Sequence, residues 1–326
     1  MALPDRPTRV GIVGAGGVAE RHARVLSSFP DATVVGVADL APDRAAALAR
    51  EVGAEAYPEA ELMLEGVEVD CVYVCTPPFA RGLPERLAAE RGLPLFVEKP
   101  LAADLATAEE VAAVVAASGV ATGTGYHWRQ LDTVAEAAKL LAGRTPGLVV
   151  ARWFDKVPPP AWWARKDGSG GQVVEQATHL IDLARFLVGE VATVTALGTS
   201  CGLTRPGGDV DEATAAVLAF AEGAVGTLTA TCLFDRKDET TLEVVAPGLA
   251  LTLSETELVV TDADGTRRRE PGTDPRVAVD REFVDVMRGI RPATTVPYEE
   301  ALRTHRVACA VAASAETGAP VSISPA

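Results

Sequence analysis

Lys99 is one of five lysines among 30 basic residues, and it ends the apolar run Leu95-Phe96-Val97 in LFVEKPLAADLATAEEV. Two readings fit it. It is a solvated strand end paired with Glu98, or an ammonium group held at the carboxyl edge of a parallel sheet, where open α/β folds bind ligands. In the second position it could stabilise negative charge developing on a reacting oxygen. A second chemical pair lies in DGSGGQVVEQATHLIDLARFLVG, where Glu175, His179 and Asp182 recur at four and then three residues. On a helix all three share one face. A histidine beside a carboxylate suits proton transfer near neutral pH, and a solvated helix pair fits the same spacing.

The elements that must position Lys99 begin at RVGIVGAGGVAERHARVL. The stretch reads strand, glycine turn, helix. Gly14, Ala15, Gly16, Gly17, Val18 and Ala19 fit a G-x-G-x-x-[GA] fingerprint. Gly14 permits the tight turn, Gly16 lets the backbone approach a pyrophosphate, and Ala19 allows close helix packing. The helix N-terminus then offers N–H groups to phosphates. A second apolar strand, TVVGVAD, ends on Asp39, 25 residues beyond Gly14. A carboxylate there accepts the adenosine ribose hydroxyls, and Leu40-Ala41-Pro42 offers no arginine for a 2′-phosphate, so NAD is favoured over NADP.

Strand-like and helix-like runs keep alternating through VDCVYVCT, PERLAAERG, PLFVEK, TAEEVAAVVAASG and VATGTGYH. That alternation predicts right-handed βαβ units and a doubly wound parallel sheet over residues 1–124. Thr76-Pro77-Pro78, Glu98-Lys99-Pro100 and Tyr126-His127 should then end strands along one sheet edge, beside the nicotinamide half of the cofactor. Pro100 forces Lys99 into an extended conformation and leaves the isomer of the Lys99–Pro100 bond open. The Glu98 carboxylate is expected to anchor that turn.

Residues 125–326 read as an α+β substrate-binding and oligomerisation domain. Three of four tryptophans, Trp153, Trp162 and Trp163, cluster before the Glu175 helix; their faces suit sugar C–H groups or a core equally. Beyond residue 190 strand runs dominate, with turns at Glu222-Gly223 and Asp264-Gly265, which predicts a large open, mainly antiparallel sheet. Two helices end the chain.

The 326 residues carry a formal charge of −15, which disfavours nucleic acid. No apolar run approaches the roughly 20 residues of a membrane span, and the N-terminus enters a strand without a separate signal core, so a cytoplasmic location is expected. Cys71, Cys75, Cys201, Cys232 and Cys309 form no CxxC pair and are expected to be reduced thiols. The histidines have no ligand spacing, and no metal is predicted.

These residues together carry a resemblance. GAGGVA, CTPP, EKP, SGGQVVEQATHLIDLARFLVGE and the closing YEEALRTHRVACAVAASAETG resemble the Gfo/Idh/MocA oxidoreductases over nearly the whole chain. The resemblance implies a Rossmann domain joined to an α/β domain, a nicotinamide cofactor, and oxidation or reduction of a hydroxyl or ketone on a sugar, cyclitol or nucleotide sugar. It implies that Lys99 polarises the reacting oxygen and that His179 is the acid/base, assisted by the acid four residues earlier. Here that acid is Glu175, where the family frequently has Asp. The family's histidine after the TPP segment is absent, with Arg81 near its place, so His127 stands as a rival acid/base or nicotinamide contact. Trp162, Trp163, His127, Glu175, His179 and Lys99 are the expected substrate contacts. A homodimer or homotetramer built sheet to sheet is expected. Two other uses of the same scaffold fit the sequence: a lyase or glycosidase that oxidises transiently with tightly held NAD, and a non-catalytic cofactor-sensing regulator.

Overall fold

Short apolar runs such as Cys71–Val74 and Leu95–Val97 become strands here because both faces of each are covered. The computed structural model describes residues 6–200, 202 and 207–324. These divide into two compact units: residues 6–102, 106–127 and 276–302 form the first, and 103–105, the described residues of 128–275, and 303–324 the second.

Among the described residues, the first unit has a six-stranded parallel sheet in the order β3-β2-β1-β4-β5-β6. The strands are β1 Thr8–Val13, β2 Ala32–Ala38, β3 Glu55–Tyr57, β4 Cys71–Val74, β5 Leu95–Val97 and β6 Thr122–Thr124. The order reverses between β1 and β4, the switch point at which doubly wound sheets open a crevice. The helix Gly17–Ser27 buries Ala19, His22, Ala23 and Leu26 on this sheet.

The expected boundary at residue 124 assigned everything beyond it to the second domain. The chain instead returns: the helix Pro275–Met287 packs in the first unit, burying Val279, Asp280, Phe283, Val284 and Met287. Phe283 meets the rings of Tyr73 and Phe96 edge-on, with centroids 5.5 and 5.6 Å away. Arg281 clasps Asp31 at 2.8 and 3.0 Å. The packing follows from an apolar helical stripe, but sequence order alone does not say which sheet that stripe covers.

The second unit contains β7 Leu148–Lys156, β8 Val191–Thr199, β9 Ala213–Phe220, β10 Val225–Phe234, β11 Glu239–Ala246, β12 Leu249–Leu253, β13 Leu258–Asp262, β14 Gly265–Arg269 and β15 Val321–Ser322. They form one sheet, β14-β13-β12-β11-β7-β10-β9-β8-β15, antiparallel except where β10 runs parallel to β7. Gly223 and Gly265 turn the β9–β10 and β13–β14 connections with φ of 93° and 113°. Side chains alternate: one face joins the core with the helix Thr178–Val188. The other leaves Leu197, Val217, Val225 and Leu148 exposed, with Val225 and Leu148 opposite each other on β10 and β7.

Cys71, Cys75 and Cys232 are buried free thiols and Cys309 is half-buried; Cys201 lies outside the described residues. Burial pushes the Cys232 thiol up to about 11. No helix among the described residues is long and apolar enough to cross a membrane. Nor does any group of His, Cys, Asp and Glu among them have the arrangement to hold a metal ion.

Candidate functional site

The carboxyl ends of the first unit's strands collect the expected cofactor residues in a row. Asp39 follows β2, Gly14 to Gly17 follow β1, Thr76-Pro77 follow β4, Glu98-Lys99 follow β5, and Tyr126-His127 follow β6. Gly14 has φ 95°, and a Cβ on it would come within 2.8 Å of the Cys75 carbonyl carbon. That strand crossing admits only glycine. Above it the space opens: a Cβ on Gly16 or Gly17 would meet no atom within 4 Å.

Gly16 precedes the 11-residue helix Gly17–Ser27, whose first turn carries Val18 and Ala19 and has no side-chain cap among the described residues. Free N–H groups and the helix dipole thus face an open glycine cradle, which is what a pyrophosphate requires. Asp39 braces the cradle. Its Oδ2 accepts the Ala15 N–H at 2.7 Å and its Oδ1 accepts the Ala41 N–H at 2.8 Å. Its side chain is thereby fixed beside the glycine turn, and the residues present fit a dinucleotide.

Arg81 does not hold an open position. Its guanidinium is buried and donates to the carbonyls of Thr76 at 2.9 Å and Val74 at 3.1 Å, closing the end of β4. His127 is also buried, with Nδ1 3.3 Å from the Gly125 carbonyl. The Lys99–Pro100 peptide is cis.

Glu98 turns inward. One carboxylate oxygen receives His22 Nε2 at 2.8 Å and Arg21 Nη2 at 2.9 Å, and the other accepts the Lys99 backbone N–H at 3.0 Å. Nδ1 of His22 lies 2.7 Å from Asp280. Burial opposes a charge on His22, but Asp280 and Glu98 outweigh it and raise the imidazole from 6.5 to about 9. Burial also penalises the Glu98 carboxylate, yet His22, with Arg21 and Lys99, holds it well below the usual carboxylate range. Glu98 was expected both beside the nicotinamide half of the cofactor and as the anchor of the turn; its oxygens are engaged with Arg21, His22 and the Lys99 N–H, as an anchor requires. Sequence reading missed His22 and Asp280. The available signal was a titratable residue inside an apolar helical stripe, Ala19-His22-Ala23-Leu26 in one case and Val279-Asp280-Phe283 in the other.

In the second unit the Glu175–His179 segment is not one regular helix. Val173–Ala177 forms a π-helical turn before Thr178–Val188 continues as α-helix. The wider turn rotates Glu175 away from its α-helical register with His179. Glu175 accepts the Trp163 indole N–H at 2.8 Å. His179 lies near-parallel to the rings of Trp128 and Trp153, 17° in each case, with centroids at 5.9 and 6.0 Å. Asp182, expected on the same face, is instead the buried partner of Arg129 at 2.7 and 2.9 Å. Trp162 is half-buried. Trp163 has no accessible surface and packs with Val210 and Cys232, so it presents no face to a sugar.

Residues 8–126 match the oxidoreductase family model with an NAD-binding Rossmann fold, and residues 145–247 match the GFO/IDH/MocA C-terminal domain. The chain belongs to the Gfo/Idh/MocA oxidoreductase family. Its Rossmann domain is of the nicotinamide-nucleotide-binding kind. Among Gfo/Idh/MocA relatives, scyllo-inositol 2-dehydrogenase (NAD(+)) of Bacillus subtilis (strain 168) is 31% identical over 230 residues, 68% of this chain and 66% of the relative. Myo-inositol 2-dehydrogenase of Thermotoga maritima is 29% identical over 273 residues, 79% of this chain and 80% of the relative. A levoglucosan dehydrogenase solved with NADH and levoglucosan shares the fold, with TM-score 0.88 and 21% identity over 97% of this chain and 99% of that one.

Proposed function

We propose that this Gfo/Idh/MocA chain transfers a hydride between NAD, in preference to NADP, and a secondary hydroxyl or ketone of a sugar, cyclitol or sugar derivative. The observation that carries the reading is the row of strand ends, where the open Gly16–Gly17 cradle and Asp39 share one sheet edge with Lys99. The inositol dehydrogenases among its relatives support the substrate class.

Gly14, Gly16, Gly17, Val18 and Ala19 hold the pyrophosphate, Asp39 the adenosine ribose, and Thr76, Pro77 and Lys99 border the nicotinamide end. The cofactor supplies the hydride acceptor or donor. Lys99, as ammonium, binds the reacting oxygen and stabilises the alkoxide that forms as the hydroxyl proton leaves. His179 takes that proton, its ring oriented by Trp128 and Trp153. Glu175, Trp162 and His127 complete the substrate contacts. The exposed, largely apolar face of β8, β9 and β10 supports assembly with a second copy of the chain into a homodimer or homotetramer. The free thiols are consistent with a reducing, cytoplasmic location.

A panel of myo-inositol, scyllo-inositol, D-glucose and levoglucosan with NAD, followed at about 340 nm, tests the reading. One or more should be oxidised, and Lys99→Ala and His179→Ala should each slow turnover by about a hundredfold. Normal turnover in His179→Ala with collapse in His127→Ala moves the acid/base role to His127. Absence of net NADH with any of them sinks the dehydrogenase reading.

A further inference from the structure

We infer that His22 and Asp280 are positioning residues for Lys99, acting through the Glu98 carboxylate. The inference rests on the reading of Lys99 as the group that binds the reacting oxygen.

The relay is continuous and its members come from three separate stretches of chain. Asp280, on the helix Pro275–Met287, lies 2.7 Å from His22 Nδ1. His22, on the helix that opens with the glycine cradle, reaches Glu98 through Nε2 at 2.8 Å. Glu98 then accepts the Lys99 backbone N–H at 3.0 Å. His22 and Asp280 are fully buried, and the His22 ring packs against Tyr73 and Phe96.

Such a network is a poor way to gain stability alone. Taking charges out of water is costly, and well-packed apolar side chains of equal volume serve as well or better. What apolar side chains cannot do is accept the Lys99 N–H. A carboxylate can, and it does so most strongly when it stays ionised despite its burial. A doubly protonated His22, with Arg21 on the same oxygen at 2.9 Å, keeps it so, and Asp280 favours the doubly protonated form of His22. Gly125 adds a steric wall, because a Cβ there would overlap the Glu98 carboxyl group. Both freedoms of Glu98, its charge and its place, are thus removed before Lys99 begins.

The test measures turnover with the panel polyol oxidised fastest, in Asp280→Asn, Lys99→Ala and the double variant. Asp280→Asn should lower kcat by about tenfold with KM for NAD changed by less than about twofold. In the Lys99→Ala background the same change should cost less than about twofold, because its route to the reaction is already cut. Losses that multiply independently overturn the inference while leaving Lys99 in its role. Near-normal turnover in Lys99→Ala overturns that role and the inference with it. A readout independent of turnover uses the unaltered protein labelled with ¹⁵N-histidine. At about pH 8 both ring nitrogens of His22 should carry protons. A neutral His22 tautomer there overturns the relay even if Asp280→Asn fails to fold.

Discussion

Asp39 Oδ2 accepts the Ala15 N–H at 2.7 Å, so the end of β2 is tied directly to the glycine turn after β1. The bond gives Asp39 two tasks, bracing the cradle and presenting a carboxylate beside it. Asp39→Asn keeps an oxygen for Ala15 but removes the charge. NAD binding by calorimetry should weaken by about tenfold or more, in line with a lost hydrogen bond to a charged group. Selectivity against NADP should relax with it. A wild-type protein that binds NADP as tightly as NAD contradicts the proposal.

Gly14, Gly16 and Gly125 separate packing from ligand space. A methyl on Gly14 or Gly125 would run into the backbone at Cys75 or into the Glu98 carboxylate, and Gly14 also needs φ 95°. Either change to Ala should destabilise by about 1–3 kcal/mol, measured by urea unfolding. Gly16→Ala meets nothing in the protein. It should leave the unfolding midpoint in place and weaken NAD binding alone. Equal destabilisation by all three would refute the open cradle.

Asp182 predicts the reverse of its neighbour His179. The Arg129–Asp182 pair is buried and bidentate, and Thr304 Oγ1 adds a bond to the carboxylate at 3.0 Å. Asp182→Asn should therefore cost about 3–5 kcal/mol of stability, the penalty for stranding a buried guanidinium. Glu175→Gln keeps an acceptor for Trp163 and should lower turnover with little change in unfolding. Full stability in Asp182→Asn would return that residue to the candidate site.

The sequence made Gly14, Asp39 and Lys99 legible because each ends a short apolar strand, and strand ends in an alternating chain fall on one edge. The Glu175–His179 pair was legible only as spacing. A π-helical turn has no periodic signature distinct from a helix, so the partners actually met, Trp163 for Glu175 and Trp128 and Trp153 for His179, could not be read. Asp280 was hidden by order along the chain. Its helix lies more than 150 residues past the first sheet in sequence, yet packs on Tyr73 and Phe96 through Phe283. Periodicity gave the stripe but not its destination.

His22 ties stability to pH with a definite sign. Its folded value of about 9 exceeds its ordinary 6.5, so the folded protein binds this proton more tightly than the unfolded chain. The contribution is complete below about pH 6.5 and is lost as pH rises through about 9, a span worth about 3 kcal/mol. Glu98 works at the other end, since its depressed folded value means stability is lost only as acid protonates it. Arg21, Glu98, Asp280 and Tyr73 are the titratable groups around the ring, and Asp280 is pushed up by burial despite His22. Urea unfolding of the wild type should therefore weaken between about pH 6.5 and 9.5, and His22→Gln should be less stable at the lower pH with a flatter profile. Parallel profiles for the two proteins would mean that His22 carries no extra proton in the folded state, and the relay to Lys99 would lose its charge.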